Sequence, residues 1–144
     1  MVMTDVRFTE LKSDSEIASF LSNCGFPAWI FDQESLRILE VNQSAVHTYG
    51  YTRQEFLALT VLDIRPSQEV PMFLEKEVLR HHSSIEPERW RHLRKDNSVL
   101  PVDIRSRETI FRGRAVELVI AIPRENTCHV PESSGLREFL GLFW

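Results

Sequence analysis

The sequence predicts an α+β domain built from a helix, a β-hairpin, several short helices, one longer helix and three consecutive antiparallel strands. Three observations carry this. Apolar residues recur at helical spacing in "SDSEIASFLSNC". Two short runs rich in β-formers, "AWIFD" and "RILEV", flank the turn-forming "DQES". From "ERWRHLRK" onward the pattern switches to period two, through "VLPVDIRSRETIF" and "AVELVIAI". Strands at both ends with helices between them put the helices on one face of a single sheet, which leaves a space between the layers.

Each element has a local cause. The first dozen residues read as a loose lead-in. Ser13 and Glu16 form a capping-box pattern that starts a helix, and Ile17, Phe20, Leu21 and Cys24 make its apolar stripe. Gly25 occupies the position of a left-handed helix terminator, and Pro27 forbids continuation. Two strands follow at roughly 28–32 and 37–41. Asn42 ends the second and caps a two-turn helix from Gln43 to Tyr49, which Gly50 closes. Thr52 and Glu55 form a second capping box, opening a helix through Phe56, Leu57 and Leu59.

"TVLDIRP" is a tight connector. Pro66 and Ser67 open a longer helix reaching about His82, with Pro71 in its first turn or so and Val70, Phe73, Leu74 and Val78 as its buried face. After Pro87, "DNS" joins two strands, because Asp96 and Asn97 tolerate unusual backbone angles. Gly113 turns the chain into the last strand.

The totals bound the function. A chain of 144 residues, 42% hydrophobic and 26% charged, is one ordinary domain with enough length to bury a core. A net charge of −4 gives no reason to expect nucleic acid. No apolar run approaches the roughly 18 residues of a membrane span, and the N-terminus has no signal-peptide core. A cytoplasmic protein is expected. Cys24 and Cys128 lie far apart and read as plain thiols, and no Cys-x-x-Cys pair suggests zinc.

The order and spacing of these residues resemble the PAS family of sensory and interaction domains, over residues 25–127. Val41-Asn42, Ala45, Gly50-Tyr51 and Glu55-Phe56-Leu57 are similar to that family's "VN.A…GY..EFL" signature. Asp63-Ile64-Arg65-Pro66 resembles its next connector, and Arg94-Lys95-Asp96-Asn97-Ser98 its "R-K-D-G-S" hairpin, with Asn97 in place of Gly. Gly113 matches the turn before the last strand, while Glu125-Asn126-Thr127 stands where the family often has Asp-Ile-Thr. The resemblance implies a curved five-stranded antiparallel sheet of order 2-1-5-4-3 around a pocket. Residues 1–24 would then be a lead-in and flanking helix, and 128–144 a tail with Leu136, Phe139, Leu140 and Phe143 at helical spacing, weakened by Gly141.

Family members divide by ligand. Its flavin-linked light sensors carry a reactive cysteine in "N-C-R-F-L" after the central helices, whereas "SNCGF" here precedes the first strand and lacks the Arg. Haem-binding members place a His within the long helix, and residues 68–80 contain none. His81 and His82 suit the negative end of that helix, His47 a helix surface, and His92 a hydrogen-bonded strand position beside Trp90. No cofactor and no metal is expected, and an unidentified small ligand is left open. There is no phosphate-cradling glycine loop and no G-x-S-x-G elbow. Asp32, Asp63 and Asp103 fit turn, cap and polar-strand positions better than a catalytic set, so no catalytic residue is expected.

Strand faces locate a candidate pocket. Leu100, Val102 and Ile104 share one face of their strand, opposite Asp103, Arg105 and Arg107. Pocket walls are expected from Trp29, Phe31, Tyr49, Phe56, Phe73, Trp90, His92, Val102 and Ile104, with the choice between Trp29/Phe31 and Ile30 as the inward set left open. In the last strand both alternations are apolar, Val116, Leu118, Ile120 and Ile122 against Val119 and Ala121, so its outer side needs a cover. The first helix is the natural one, from its own chain or a partner's. Ile17, Phe20, Leu21 and Ile30 are therefore the candidate dimer interface. Basic residues concentrate between 80 and 114, nine Lys or Arg against five Asp or Glu, which reads as a solvated sheet face, with a site for an anionic ligand or an acidic partner surface as the alternative.

The expectation is a non-enzymatic sensory module, bacterial in type, that binds a small ligand or a protein partner and works as a homodimer through its flanking helices. It is either self-standing or part of a larger protein with an effector domain. The rivals are a purely structural dimerisation module with a filled core, and a small cone-shaped isomerase or hydrolase marked by a buried carboxylate–His pair.

Overall fold

The computed structural model describes residues 13–78 and 88–124. Helix α1 (Asp14–Asn23) leads into β1 (Ala28–Asp32) and β2 (Ile38–Val41), then α2 (Gln43–Tyr49) and α3 (Arg53–Leu57). A 3₁₀ turn (Ser67–Glu69) runs into α4 (Val70–Val78), and β3 (Glu88–Leu93), β4 (Val99–Phe111) and β5 (Arg114–Pro123) complete the domain. The five strands form one antiparallel sheet in the order β2-β1-β5-β4-β3.

The caps form as their residue types dictate. Thr52 and Glu55 make the full reciprocal box at α3. Ser13 Oγ accepts from the Glu16 amide at α1. Gly50 ends α2 with φ +89°, and the β4–β5 hairpin turns on Arg112 and Gly113, at φ +53° and +76°. Two successive positive φ values make this a type I′ turn, whose twist matches that of the paired strands. Asn97 takes φ +72° between β3 and β4, the role the family usually gives to Gly.

Two details of the sequence reading are corrected. Gly25 does not terminate α1 in a left-handed conformation; Cys24, at φ −75° and ψ 128°, turns the chain into extended backbone toward Pro27. The exposed carbonyls there are met by a side chain instead, as described below. The buried face of α4 is also narrower than its spacing implies. Phe73 is buried, Val70 is half-buried, and Leu74 is exposed with its neighbour Met72. The helix meets the edge strand β3 by packing Phe73 on Trp90, and the Val78 side chain lies outside the described residues. The end of the long helix with His81 and His82, together with Cys128, Glu125-Asn126-Thr127 and the tail, lies outside the described residues.

The sheet separates two cores. On the helix-covered face, Trp29, Phe31, Val119 and Ala121 join Ile38, Val41, Ala45, Tyr49, Phe56, Val61, Ile64, Phe73, Trp90, Leu100 and Val102. On the other face, Ala28, Ile30, Phe111, Val116, Leu118 and Ile120 pack under Ile17, Leu21 and Cys24 of α1 and its end. All five residues of β1 are buried because its neighbours in sequence alternate between these cores. A ten-residue helix is too short to persist alone in water, so this packing is what holds α1. Burying Ile17 and Leu21 contributes roughly 1.5–3 kcal/mol each.

Candidate functional site

Between the sheet and the helices lies a cavity of about 40 Å³, partly open to solvent. Trp29 and Phe31 reach it from β1, Trp90 and His92 from β3, and Ile104 and Ser106 from β4. Glu117 and Val119 enter from β5, Val61 and Arg65 from the connector after α3, and Phe73 and Glu77 from α4, with Glu88 at the start of β3. Register explains the grouping. Trp29 pairs with Val119, Phe31 with Glu117, and Ser106 with Val119, so these side chains share the inner face.

The aromatic walls interlock. Trp29 meets Tyr49 edge-on at 5.6 Å and His92 at 5.8 Å between ring centroids, and Phe73 meets Trp90 at 5.9 Å. Phe73 and Trp90 both contact one cation: the Arg65 guanidinium carbon lies 3.9 Å from the first ring centre and 5.1 Å from the second, and the two rings stand at 74° to each other. Arg65 is only 6% exposed. Its Nε donates to the Val61 carbonyl at 3.0 Å, while its Nη1 is buried without a partner. Burial lowers its pKa to about 10, against the pull of nearby carboxylates including Glu69, Glu77 and Glu88, so it is a cation at neutral pH.

His92 is completely buried, with Nδ1 2.6 Å from the Tyr49 hydroxyl and Nε2 unpartnered. Burial, reinforced by the Arg65 charge, pushes its pKa well below the imidazole range and keeps the ring neutral. Burial likewise pushes the Tyr49 phenol above its ordinary value. The Trp29 indole Nε1 is a third buried polar atom without a partner.

Of the nine expected wall residues, Trp29, Phe31, Phe73, Trp90, His92 and Ile104 line the cavity. Tyr49, Phe56 and Val102 are buried in the same core but stand back from it. The inward pair on β1 is Trp29 and Phe31, and Ile30 belongs to the core under α1. Of the candidate interface residues, Ile17, Leu21 and Ile30 are buried within the chain, and Phe20 is half-buried at the rim.

Arg65 and Glu117 were missed. Arg65 sits in a connector, where nothing local says it folds inward. Glu117 did leave a signal, because it shares the alternation of Val119 and Ala121 in an otherwise apolar strand.

Asp32 and Asp63 serve turns, accepting from the Glu34 and Thr60 amides. Asp32 and Asp103 pair with β5 positions six residues apart, Val116 and Ile122, or about 20 Å. Among the described residues no group of three or more His, Cys, Asp or Glu is placed to hold a metal ion. Cys24 is buried, which raises its thiol pKa, and its Sγ donates to the Phe26 carbonyl at 3.3 Å. No helix among the described residues is long and apolar enough to cross a membrane.

Comparison with known proteins bears on the fold. Solved structures similar to this chain include the PAS domain of a Desulfitobacterium hafniense protein, with 17% identity over 73% of this chain and 98% of that one and a TM-score of 0.65. A PAS domain from a two-component sensor histidine kinase matches at 12% identity over 85% and 99%, with a TM-score of 0.61. The LOV protein of Rhodobacter sphaeroides matches at 12% identity over 96% and 80%, with a TM-score of 0.70. No curated protein sequence matches. A family model described as "PAS domain" matches residues 27–127, which span the hairpin, helices α2 to α4 and strands β3 to β5. With that match and the 2-1-5-4-3 sheet, the chain belongs to the PAS domain family.

Proposed function

We propose that this chain is a sensory or regulatory module that takes a small molecule into the cavity and transmits its presence to the flanking helix α1. One observation carries the reading: β1 and β5 are shared by both cores. Trp29 and Val119 face the cavity, while the adjacent Ile30 and Ile120 pack under α1. A guest that shifts the inner side chains therefore acts on the seat of α1 through single residues of backbone, because packed interiors do not absorb displacement freely.

The same features argue against catalysis. The buried His92 is paired with a phenol, not with a carboxylate, and is neutral. A cytoplasmic signalling protein of bacterial type, with α1 coupled to an effector domain or a partner protein, is the setting this role suits. Homodimerisation is part of the proposal, and its contacts would come from the rim around Phe20, because Ile17 and Leu21 are already enclosed.

The small volume supports a second reading, a structural dimerisation module whose core is effectively filled. Ligands of drug size need cavities of about 300–1,000 Å³. Native mass spectrometry, absorption spectra and thermal denaturation with a panel of small metabolites separate the two. The sensory reading expects a retained mass or a ligand-dependent rise in Tm, without haem Soret or flavin bands. A chain that carries no guest and gains no stability from any compound is the structural module, and a stoichiometric chromophore overturns the expectation of no cofactor.

A further inference from the structure

We infer that the ligand of this cavity presents acceptor oxygens, as a carboxylate or a carbonyl, to Trp29, Arg65 and His92. The inference deepens the sensory reading and rests on it. All three side chains line the cavity, are at least nine-tenths buried, and hold a polar atom without a partner: Trp29 Nε1, Arg65 Nη1 and His92 Nε2. Buried polar groups in native proteins are almost always paired, with protein or with ordered water, so three unpartnered groups on residues that line one cavity point to polar atoms in its occupant.

Each of the three is a donor. Indole nitrogen and guanidinium only donate. For His92 the assignment follows from Tyr49. A phenol is a better donor than acceptor, so we assign the 2.6 Å contact as Tyr49 donating to Nδ1, the tautomer that carries the ring hydrogen on Nε2. The carboxylates of the cavity, by contrast, are already engaged, and the Ser106 hydroxyl can donate as well as accept. Glu88 accepts from the Trp90 indole at 3.0 Å and faces Lys76 at 3.5 Å, and Glu77 and Glu117 have partners as well. The unmet capacity is for oxygens.

Size narrows the class further. A cavity of about 40 Å³ admits only a small group, such as a carboxylate or an amide carbonyl. The guanidinium, held against Phe73 and Trp90, is itself planar and suits a carboxylate or carbonyl lying along its edge.

The test uses the full chain, labelled with ¹⁵N, and follows the Trp29 indole N–H signal, assigned by its loss in Trp29→Phe. Sodium acetate, acetamide and methylammonium chloride are titrated at constant pH and ionic strength, and xenon is applied under pressure to ask whether the cavity admits any guest. The inference expects a saturable shift with acetate or acetamide and none with methylammonium. Acetate alone identifies an anion site, and acetamide alone a neutral carbonyl site. Arg65→Met should weaken the effective probe about tenfold or more, since a hydrogen bond from a charged donor is lost. An equal response to methylammonium, or unchanged affinity in a folded Arg65→Met variant, overturns the inference. So does entry of xenon without a response to either oxygen probe, which leaves the ligand-binding reading standing. Silence toward all four probes sinks both. Should Arg65→Met fail to fold, the wild-type titrations decide alone.

Discussion

Asn42 joins three elements through one buried side chain, and its removal tests how this fold is held. Its Oδ1 accepts from the amides of Ala45 and Ala28, each at 3.0 Å. Its Nδ2 donates to the carbonyls of Phe26 at 3.0 Å, Leu21 at 3.1 Å and, at 3.4 Å, Cys24. One buried amide therefore caps the start of α2, starts β1 and closes the end of α1. Asn42→Ala loses the cap, about 1 kcal/mol. It also strands the Ala28 amide in a buried site, about 1–3 kcal/mol. The carbonyls lose less, since Leu21 O still accepts from the Cys24 amide and Phe26 O from the Cys24 thiol. The sum is about 3 kcal/mol, or roughly 10 °C in Tm for a chain of 144 residues. Urea denaturation followed by tryptophan fluorescence and circular dichroism measures it, as a lower midpoint at unchanged slope. Asn42→Ser should recover about 1 kcal/mol by restoring the cap alone. Asn42→Asp keeps both acceptor bonds but aims a carboxylate at carbonyl oxygens, so it should be no better than Asn42→Ala. A loss below about 1 kcal/mol for Asn42→Ala, or wild-type stability in Asn42→Asp, would refute the reasoning, because Asn42 would then be an ordinary surface cap.

Other perturbations follow from single contacts. The depressed pKa of His92 means that the unfolded chain binds this proton and the folded one does not, so stability attributable to His92 is full above the ordinary value of 6.5 and declines as pH falls below it. Denaturation between pH 7.5 and 5 should show a decline steeper than that of His92→Gln, by up to about 1.4 kcal/mol per pH unit, and equal slopes would mean His92 protonates freely in the fold. Gly50→Ala places a side chain at φ +89°, where its Cβ would make only ordinary contact with Lys95 Cβ at 3.5 Å. Its cost is therefore backbone strain, about 1 kcal/mol by thermal denaturation, and a neutral result would show that α2 can end another way. Sedimentation of the wild type at micromolar concentration should show a dimer that Phe20→Glu converts to a folded monomer, and a wild type that stays monomeric at every concentration excludes the self-association proposed here.

Local chemistry was legible throughout. Thr52 with Glu55, Asn42 before a helix, Asn97 in a tight hairpin and Gly113 before the last strand each act on backbone groups within a few residues, and each does in the structure what its type demands. The errors came where a neighbour in space outweighed one in sequence. Gly25 looked like a terminator, but the α1 carbonyls are satisfied by Asn42, some twenty residues away, so no left-handed residue is needed. Leu74 looked buried by periodicity, yet α4 meets the sheet rim through Phe73.

The sequence by itself determined the element order, the caps and turns, and that β1 and β5 carry apolar residues on both faces, because these depend on side-chain period and on hydrogen bonds within a few residues. Together with family resemblance it also pointed to the sheet order. Tertiary structure alone decided which of Trp29 and Ile30 turns inward, since both alternations of β1 are apolar and only the position of α1 against Ile30 and Ile120 separates them. It alone placed Arg65 against Phe73 and Trp90, in one cavity with a neutral His92. A loop arginine carries no local mark of burial; its environment is set by strands and helices that reach it from distant parts of the chain, and the character of the cavity comes from that meeting.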